Sequence, residues 1–288
     1  MMANVILGTA QFGMAYGLNN RRGKIPEEEV FEILRRASHY GIEMLDTAYS
    51  YGRAEYIIGK YSETHDQHFK IISKLPSCSH EEAESIVNAS LMQLNAKTLY
   101  GYLIHNFSVY LSDRHIWSVL STLKAQGKIE KIGFSLYYPS DYKRILTEKL
   151  DVDILQLPYS ALDQRFAAHF HEMREQGIEV HVRSIYLQGL VFTKLRDLKD
   201  NFLRLEGKIK SMQDISFRRS VPLSILCLNF VLLNQDVDYI VVGIDNLGHL
   251  EEIACSSAYR ESVQKEYENL LALREGDENL IVPARWAL

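Results

Sequence analysis

Cysteine is scarce in this 288-residue chain: Cys78, Cys227 and Cys255 are odd in number and far apart. They match no disulfide framework and no metal-ligand spacing, so no metal site is expected, and a reducing, cytoplasmic compartment is. Each is expected to be a small buried residue rather than a nucleophile. A dominant charge is also missing. The net charge is −5 with no run of like charges, which argues against nucleic-acid or anionic-membrane partners. Long apolar runs are lacking. The most apolar segment, Val221–Leu233, contains Pro222 and Asn229 and falls short of the ~20 residues that span a bilayer. It is expected to be a buried helix, with no membrane association. The opening residues, MMANVILGTAQFG, lack a basic region followed by a long apolar stretch, so no signal peptide is expected. Finally, Gly8, Gly13 and Gly17 have the wrong spacing for the glycine-rich dinucleotide turn of an open, doubly wound sheet.

What is present is an ordinary globular balance, 47% apolar and 24% charged. The length is close to the ~250 residues of a barrel domain. Eight short β-rich segments alternate with helical stretches: Val5–Gly8, Ile42–Asp46, Lys70–Lys74, Tyr100–His105, Lys131–Ser135, Asp153–Leu157, Ile178–Arg183 and Tyr239–Gly243. Pro26 and three glutamates open one helix, which Gly41 ends. His80-Glu81-Glu82 opens another that runs to Leu94, and Gly127 and Gly177 stop helices before strands five and seven. Eight βα units predict a parallel (β/α)8 TIM barrel forming a single α/β domain over residues 1–288. The charged stretch Val191–Ser216 is long for a connection and is expected to be an extra helix or a mobile cover.

Barrel enzymes place their chemistry at the carboxyl ends of the strands. Three successive strands end in titratable residues there, Asp46, Lys74 and His105, each preceded by apolar residues, and Tyr51 follows closely in the second loop. A lysine cation lowers the pKa of a nearby tyrosine, normally ~10. Asp46 can hold that lysine charged, and His105 can hydrogen-bond a carbonyl oxygen. Such a set suits a general acid that protonates an oxygen gaining negative charge.

At these residues the chain resembles the aldo-keto reductase superfamily. The resemblance is carried by Leu7-Gly8-Thr9-Ala10-Gln11-Phe12-Gly13, Asp46-Thr47-Ala48-Tyr49-Ser50-Tyr51-Gly52, Lys74, Leu103-Ile104-His105-Asn106, Gly127–Ser135 and Val282-Pro283-Ala284-Arg285-Trp286. It implies reversible, metal-independent carbonyl reduction with NAD(P)H on a small-molecule substrate. Tyr51 is then the proton donor, tuned by Lys74 and Asp46, while His105 orients substrate. The resemblance places Gly8, Thr9, Ser135, Gln156, Arg183, Ser184, Leu187, Gln188, Gly189, Gly243, Asp245, His249 and Glu252 at the cofactor. Ser135 and Gln156 are expected at the nicotinamide carboxamide, the 184–190 segment along the pyrophosphate and Glu252 at the adenine. Leu136 stands where the family has asparagine, and Arg183 where it often has a stacking aromatic. As a flat cation, Arg183 is expected to stack in its place or to pair with a rim carboxylate. Asp245 and His249 replace residues that often grip a 2′-phosphate. That leaves NADPH against NADH open and favours NADH at comparable or better efficiency. Phe12, Met14, Tyr49, Asn106 and Tyr137 are candidate pocket residues, with Tyr16, Phe107 and Tyr186 beside them. Two other readings remain, a nucleotide-binding regulatory subunit of the same fold and a lyase using Lys74 as a Schiff base.

Overall fold

The computed structural model describes residues 2, 4–18, 20–65 and 68–286. Eight parallel strands close into a barrel in sequence order, each pairing with the next and β8 with β1. They are β1 Val5–Gly8, β2 Met44–Asp46, β3 Lys70–Leu75, β4 Leu99–Ile104, β5 Ile129–Ser135, β6 Ile154–Pro158, β7 Glu179–Arg183 and β8 Tyr239–Gly243. This is the predicted topology, with strand ends displaced by one or two residues. Closure follows from composition. The strands are apolar on both faces, as a sheet covered by helices outside and filled by side chains inside must be. Val5, Leu7, Leu45 and Ile71 join the outer core against the helices. Ile6, Met44, Ile72, Leu103 and Ile154 form a separate cluster within the barrel.

The helices start and stop for the expected local reasons. Pro26 sits at the N-cap of Glu27–His39 rather than inside its first turn. Ser79 and Glu82 form a capping box on His80–Gln93. Gly127 and Gly177 follow helix ends at φ of 75° and 77°. The apolar segment becomes the helix Leu223–Leu232, most of whose side chains are buried. Residues 191–216 hold short helical turns and the first part of the helix Glu206–Arg219. Among the described residues no single helix is long and apolar enough to cross a membrane. The cysteines correct one expectation. Cys227 is buried, but Cys78 is half-buried and Cys255 exposed, because they lie in the connection after β3 and at the end of the helix Leu247–Ala254.

Candidate active site

Parallel register brings the strand ends to one rim: Gly8 faces Asp46, Leu75 faces Ile104, Ser135 faces Gln156 and Pro158 faces Arg183. Asp46 ends β2, Lys74 is the penultimate residue of β3, and His105 directly follows β4. Lys74 is almost fully buried, and its Nζ donates to Asp46 Oδ2 at 2.6 Å and to the Thr47 carbonyl at 2.8 Å. An ammonium has three N–H groups, so one is left over. Asp46 Oδ1 accepts from Gln156 Nε2 at 2.7 Å. Asp46 is therefore clamped from both sides.

Tyr51 lies between β2 and the helix Ala54–Thr64. Two glycines set its position. A Cβ on Gly13 would lie 1.7 Å from the Tyr51 carbonyl oxygen, and one on Gly52, at φ 57°, would lie 2.6 Å from the Gly13 carbonyl oxygen. Only glycine permits this backbone crossing. The Lys74 Nζ lies 5.2 Å from the Tyr51 ring centre, and the His105 ring meets it edge-on at 5.8 Å. Among the described residues the Tyr51 hydroxyl has no hydrogen-bond partner. His105 Nδ1 is 3.3 Å from Ser50 Oγ.

The electrostatics correct the expected tuning. Burial, and then the Asp46 carboxylate, push the Tyr51 phenol above its ordinary value; the group pulling it down is Arg183. Lys74 does not lower the resting phenol, while its partner Asp46 raises it. Burial pushes the Lys74 ammonium down against the pull of Asp46. Burial, followed by the Lys74 and Arg183 charges, lowers His105 to about 3, so it is neutral at ordinary pH.

Among the described residues Arg183 pairs with no carboxylate. Its Nε donates to Ser135 Oγ at 3.2 Å, Nη1 to Ser184 Oγ at 3.2 Å and Nη2 to the Leu136 carbonyl at 3.0 Å. Its guanidinium stacks on Tyr137, 4.4 Å from the ring centre. Beside it, Gln156 Oε1 is buried with no partner. Ser135 accepts from Arg183 and keeps its own hydroxyl hydrogen to donate. A carboxamide fits this pair, its oxygen accepting from Ser135 and its nitrogen donating to Gln156.

Other expected contacts fall differently. Thr9 is fully buried, and its hydroxyl donates to the Asp46 carbonyl; it positions Asp46. Gly8 is also interior, where a Cβ would press on Val241 at 3.2 Å. In the loop after β7, Ser184, Leu187 and Gln188 have φ of 62°, 46° and 52°, backbone strain of the kind that clusters at ligand sites. The Leu187 and Gly189 N–H groups close turns within that loop, so they are not free for phosphate as expected. The Gln188 side chain instead donates to Tyr16 Oη at 3.1 Å, tying this loop to the one after β1.

At the rim after β8, beside Gly243, Gln11 Nε2 donates to Asp245 Oδ1 at 3.1 Å, and Arg22 Nη1 to the Asp245 carbonyl at 3.2 Å. Arg22 is already paired with Glu29. His249 Nδ1 is 3.9 Å from Asp245 Oδ2, and the exposed Glu252 accepts from Ser224.

A cavity of about 380 Å³ opens at Ser77, His105, Asn106, Ser108, Val109 and Tyr137. Asn106 and Tyr137 were expected there, and Met14 and Tyr49 are exposed on neighbouring loops. Phe12 is not a pocket residue: it is fully buried in the outer core. Phe107 is likewise buried, packed on Phe134. Ser77, Ser50 and Gln11 were not anticipated. The first two carry a signal in hindsight, as polar residues just beyond strand ends. Among the described residues no cluster of three or more His, Cys, Asp or Glu side chains is arranged to hold a metal.

These features define a (β/α)8 barrel with a buried polar site at the carboxyl ends of its strands. The chain belongs to the Aldo/keto reductase family, whose model matches residues 4–275. The matched span stops short of the resembling segment at Val282–Trp286. In fold it is similar to aldo-keto reductase AKR11C1 from Bacillus halodurans in its holo form, with TM-score 0.74 and 20% identity over 96% of this chain and 95% of that one. It is also similar to glycerol dehydrogenase AKR11B4 from Gluconobacter oxydans, with TM-score 0.74 and 19% identity over 95% and 94% of the two chains. No curated protein matches the chain in sequence.

Proposed function

We propose that this protein is an NAD(P)H-dependent oxidoreductase that reduces the carbonyl of an aldehyde, ketone or sugar, with Tyr51 as the proton donor. The observation that carries this reading is the Tyr51 hydroxyl, unpartnered beside the buried Lys74–Asp46 pair and the neutral His105. Family membership supports it independently. The bound cofactor supplies the hydride. Tyr51 gives its proton to the carbonyl oxygen as that oxygen gains charge. The remaining Lys74 N–H and the Arg183 charge stabilise the phenolate left behind. Neutral His105 donates to the substrate oxygen and holds it near Tyr51. Ser135 and Gln156 would hold the nicotinamide carboxamide, as their free hydrogen and free acceptor require.

Asp245 supports a cofactor without a 2′-phosphate. It is an acceptor for a 2′-hydroxyl and a repulsive neighbour for a phosphate, and nearby Arg22 is engaged by Glu29. The Schiff-base reading has less support, since the Lys74 amine already donates twice and is almost fully buried. The regulatory-subunit reading leaves an intact acid–base set without a use.

The test is Tyr51→Phe, which removes only the phenolic oxygen and its proton. We expect kcat to fall by ~10²–10⁴-fold while cofactor affinity, measured by fluorescence titration, stays within about twofold. Near-normal turnover would sink the assignment.

A further inference from the structure

Arg183 is a rim cation with no acidic partner among the described residues. Each of its three nitrogens donates to a neutral oxygen. Among the described residues no carboxylate lies within 4.0 Å of it. A guanidinium has five N–H groups. One is used on each nitrogen, so one remains on Nη1 and one on Nη2. Two N–H groups on a guanidinium can receive a carboxylate bidentately. The plane of the fork is held by the Tyr137 ring, and Tyr137 also lines the cavity that His105 and Asn106 enter. Among the described residues none that lines the cavity is acidic, and its polar groups besides His105 are Ser77, Asn106, Ser108 and Tyr137. Asp46, the nearby buried carboxylate, is committed to Lys74 and Gln156. With Lys74 and Asp46 cancelling, the reacting end of the site carries one net positive charge. That charge reaches the chemistry, since Tyr51, Tyr16, Lys74 and His105 are all shifted by it.

We propose that Arg183 is a substrate-specificity residue whose free N–H fork binds a carboxylate, so that the preferred substrate is an oxo acid or another carbonyl compound carrying a carboxylate. The proposal rests on the carbonyl-reduction reading and narrows its substrate class. Because the Arg183 partners are all neutral, an anionic substrate gains a charge-assisted contact that a neutral one lacks. Such contacts are worth ~10- to 150-fold in affinity.

The experiment compares carboxylate and neutral members of matched pairs with NADH and NADPH: glyoxylate and its methyl ester, succinic semialdehyde and butanal, 4-carboxybenzaldehyde and methyl 4-formylbenzoate. The spacing between carbonyl and carboxylate differs among the pairs, so one is expected to fit. For that pair we expect kcat/KM to favour the acid by ~10-fold or more. Arg183→Gln brings the ratio close to one, and Arg183→Lys, which keeps the charge but not the fork, retains part of it. A ratio near one in every pair of the parent protein overturns the proposal. So does a ratio that survives Arg183→Gln. If Arg183→Gln weakens NADH binding and slows both members equally, Arg183 serves the cofactor and the proposal is overturned. A separate calorimetric titration uses 4-(hydroxymethyl)benzoate and benzyl alcohol in the presence of cofactor. If no carbonyl compound is reduced yet the acid alone binds, and only with Arg183 present, the anion site stands and the reduction reading fails. If neither binds, or both bind equally, the anion site fails.

Discussion

Asp245 shows how one side chain can set a choice that the rest of the barrel leaves open. Its carboxylate is held by Gln11 at 3.1 Å, so it is a positioned acceptor rather than a loose surface acid. A 2′-phosphate brings close to two negative charges and needs cationic donors. The adjacent guanidinium, Arg22, is paired with Glu29, and His249 lies 3.9 Å from Asp245 itself. A 2′-hydroxyl needs only an acceptor. We therefore expect kcat/KM with NADH to equal or exceed that with NADPH. Asp245→Arg should move the ratio toward NADPH by ~10- to 150-fold, the worth of one charged hydrogen bond, with kcat at saturation little changed. A parent preference for NADPH above ~100-fold would mean that a cation elsewhere grips the phosphate. His105 behaves differently at the same scale. Because burial and two cations keep it neutral, it acts as a hydrogen-bonding group throughout the ordinary pH range and not as a titrating acid.

At the scale of elements, the position of Tyr51 depends on one backbone crossing. The short helix Ala10–Gly13 after β1 passes the turn after β2 so closely that a methyl group on Gly13 would overlap the Tyr51 carbonyl and crowd the Ala54 N–H at 2.7 Å. The Tyr51 turn must then shift by an ångström or more. Displacements of that size cost ~10²-fold in turnover. Gly13→Ala should lower kcat by about that factor, a larger effect than on cofactor affinity. Gly207→Ala is the control, since nothing lies within 4 Å of its added methyl group and it begins an exposed part of the helix Glu206–Arg219. Equal kcat in both variants would show that the crossing does not position the tyrosine. This crossing could not be read from the chain, because residues 13 and 52 meet only after the barrel closes. The strands could be read, because apolar periodicity and helix stops are local. Asp46, Lys74 and His105 were legible from their places at strand ends. Phe12 was misread because an aromatic in a rim loop looks the same whether it faces ligand or core. The partners of Arg183 were not legible for a related reason: Ser135, Leu136 and Tyr137 come from another strand and its loop. The 184–190 segment is expected along the pyrophosphate, but its Leu187 and Gly189 N–H groups close the loop's own turns.

Across the whole molecule the barrel divides its polar groups between two ends. The carboxyl end holds the proposed chemistry. Toward the other end, a network ties strands together where no ligand is expected. Glu179 of β7 accepts from Tyr100 of β4 at 2.8 Å, pairs with Lys131 of β5 and lies 3.1 Å from His181 Nε2. Lys131 also donates to Tyr100 Oη at 3.0 Å, and the His181 ring packs edge-on against Tyr239 of β8. Three strands thus meet at one carboxylate whose side chain is 21% exposed. Burial works to raise the Glu179 pKa, but hydrogen bonds from His181, Lys131 and Tyr100 outweigh it and bring it from 4.5 to about 2. A folded-state pKa below the unfolded one stabilises the protein fully above the unfolded value, and that stabilisation is lost as pH falls through the folded value. The window here runs from about 4.5 down to about 2. At ~1.4 kcal/mol per unit the full contribution at pH 7 is roughly 3 kcal/mol. By pH 3.5 linkage removes roughly 1 kcal/mol of it. Glu179→Gln keeps the shape and removes the ionisation. Urea unfolding should therefore find the variant roughly 3 kcal/mol less stable at pH 7. The deficit should shrink by roughly 1 kcal/mol at pH 3.5, while Tyr51-dependent turnover at pH 7 persists in the folded fraction. A deficit independent of pH would mean that the glutamate holds the barrel through packing alone and that its charge contributes nothing to closure.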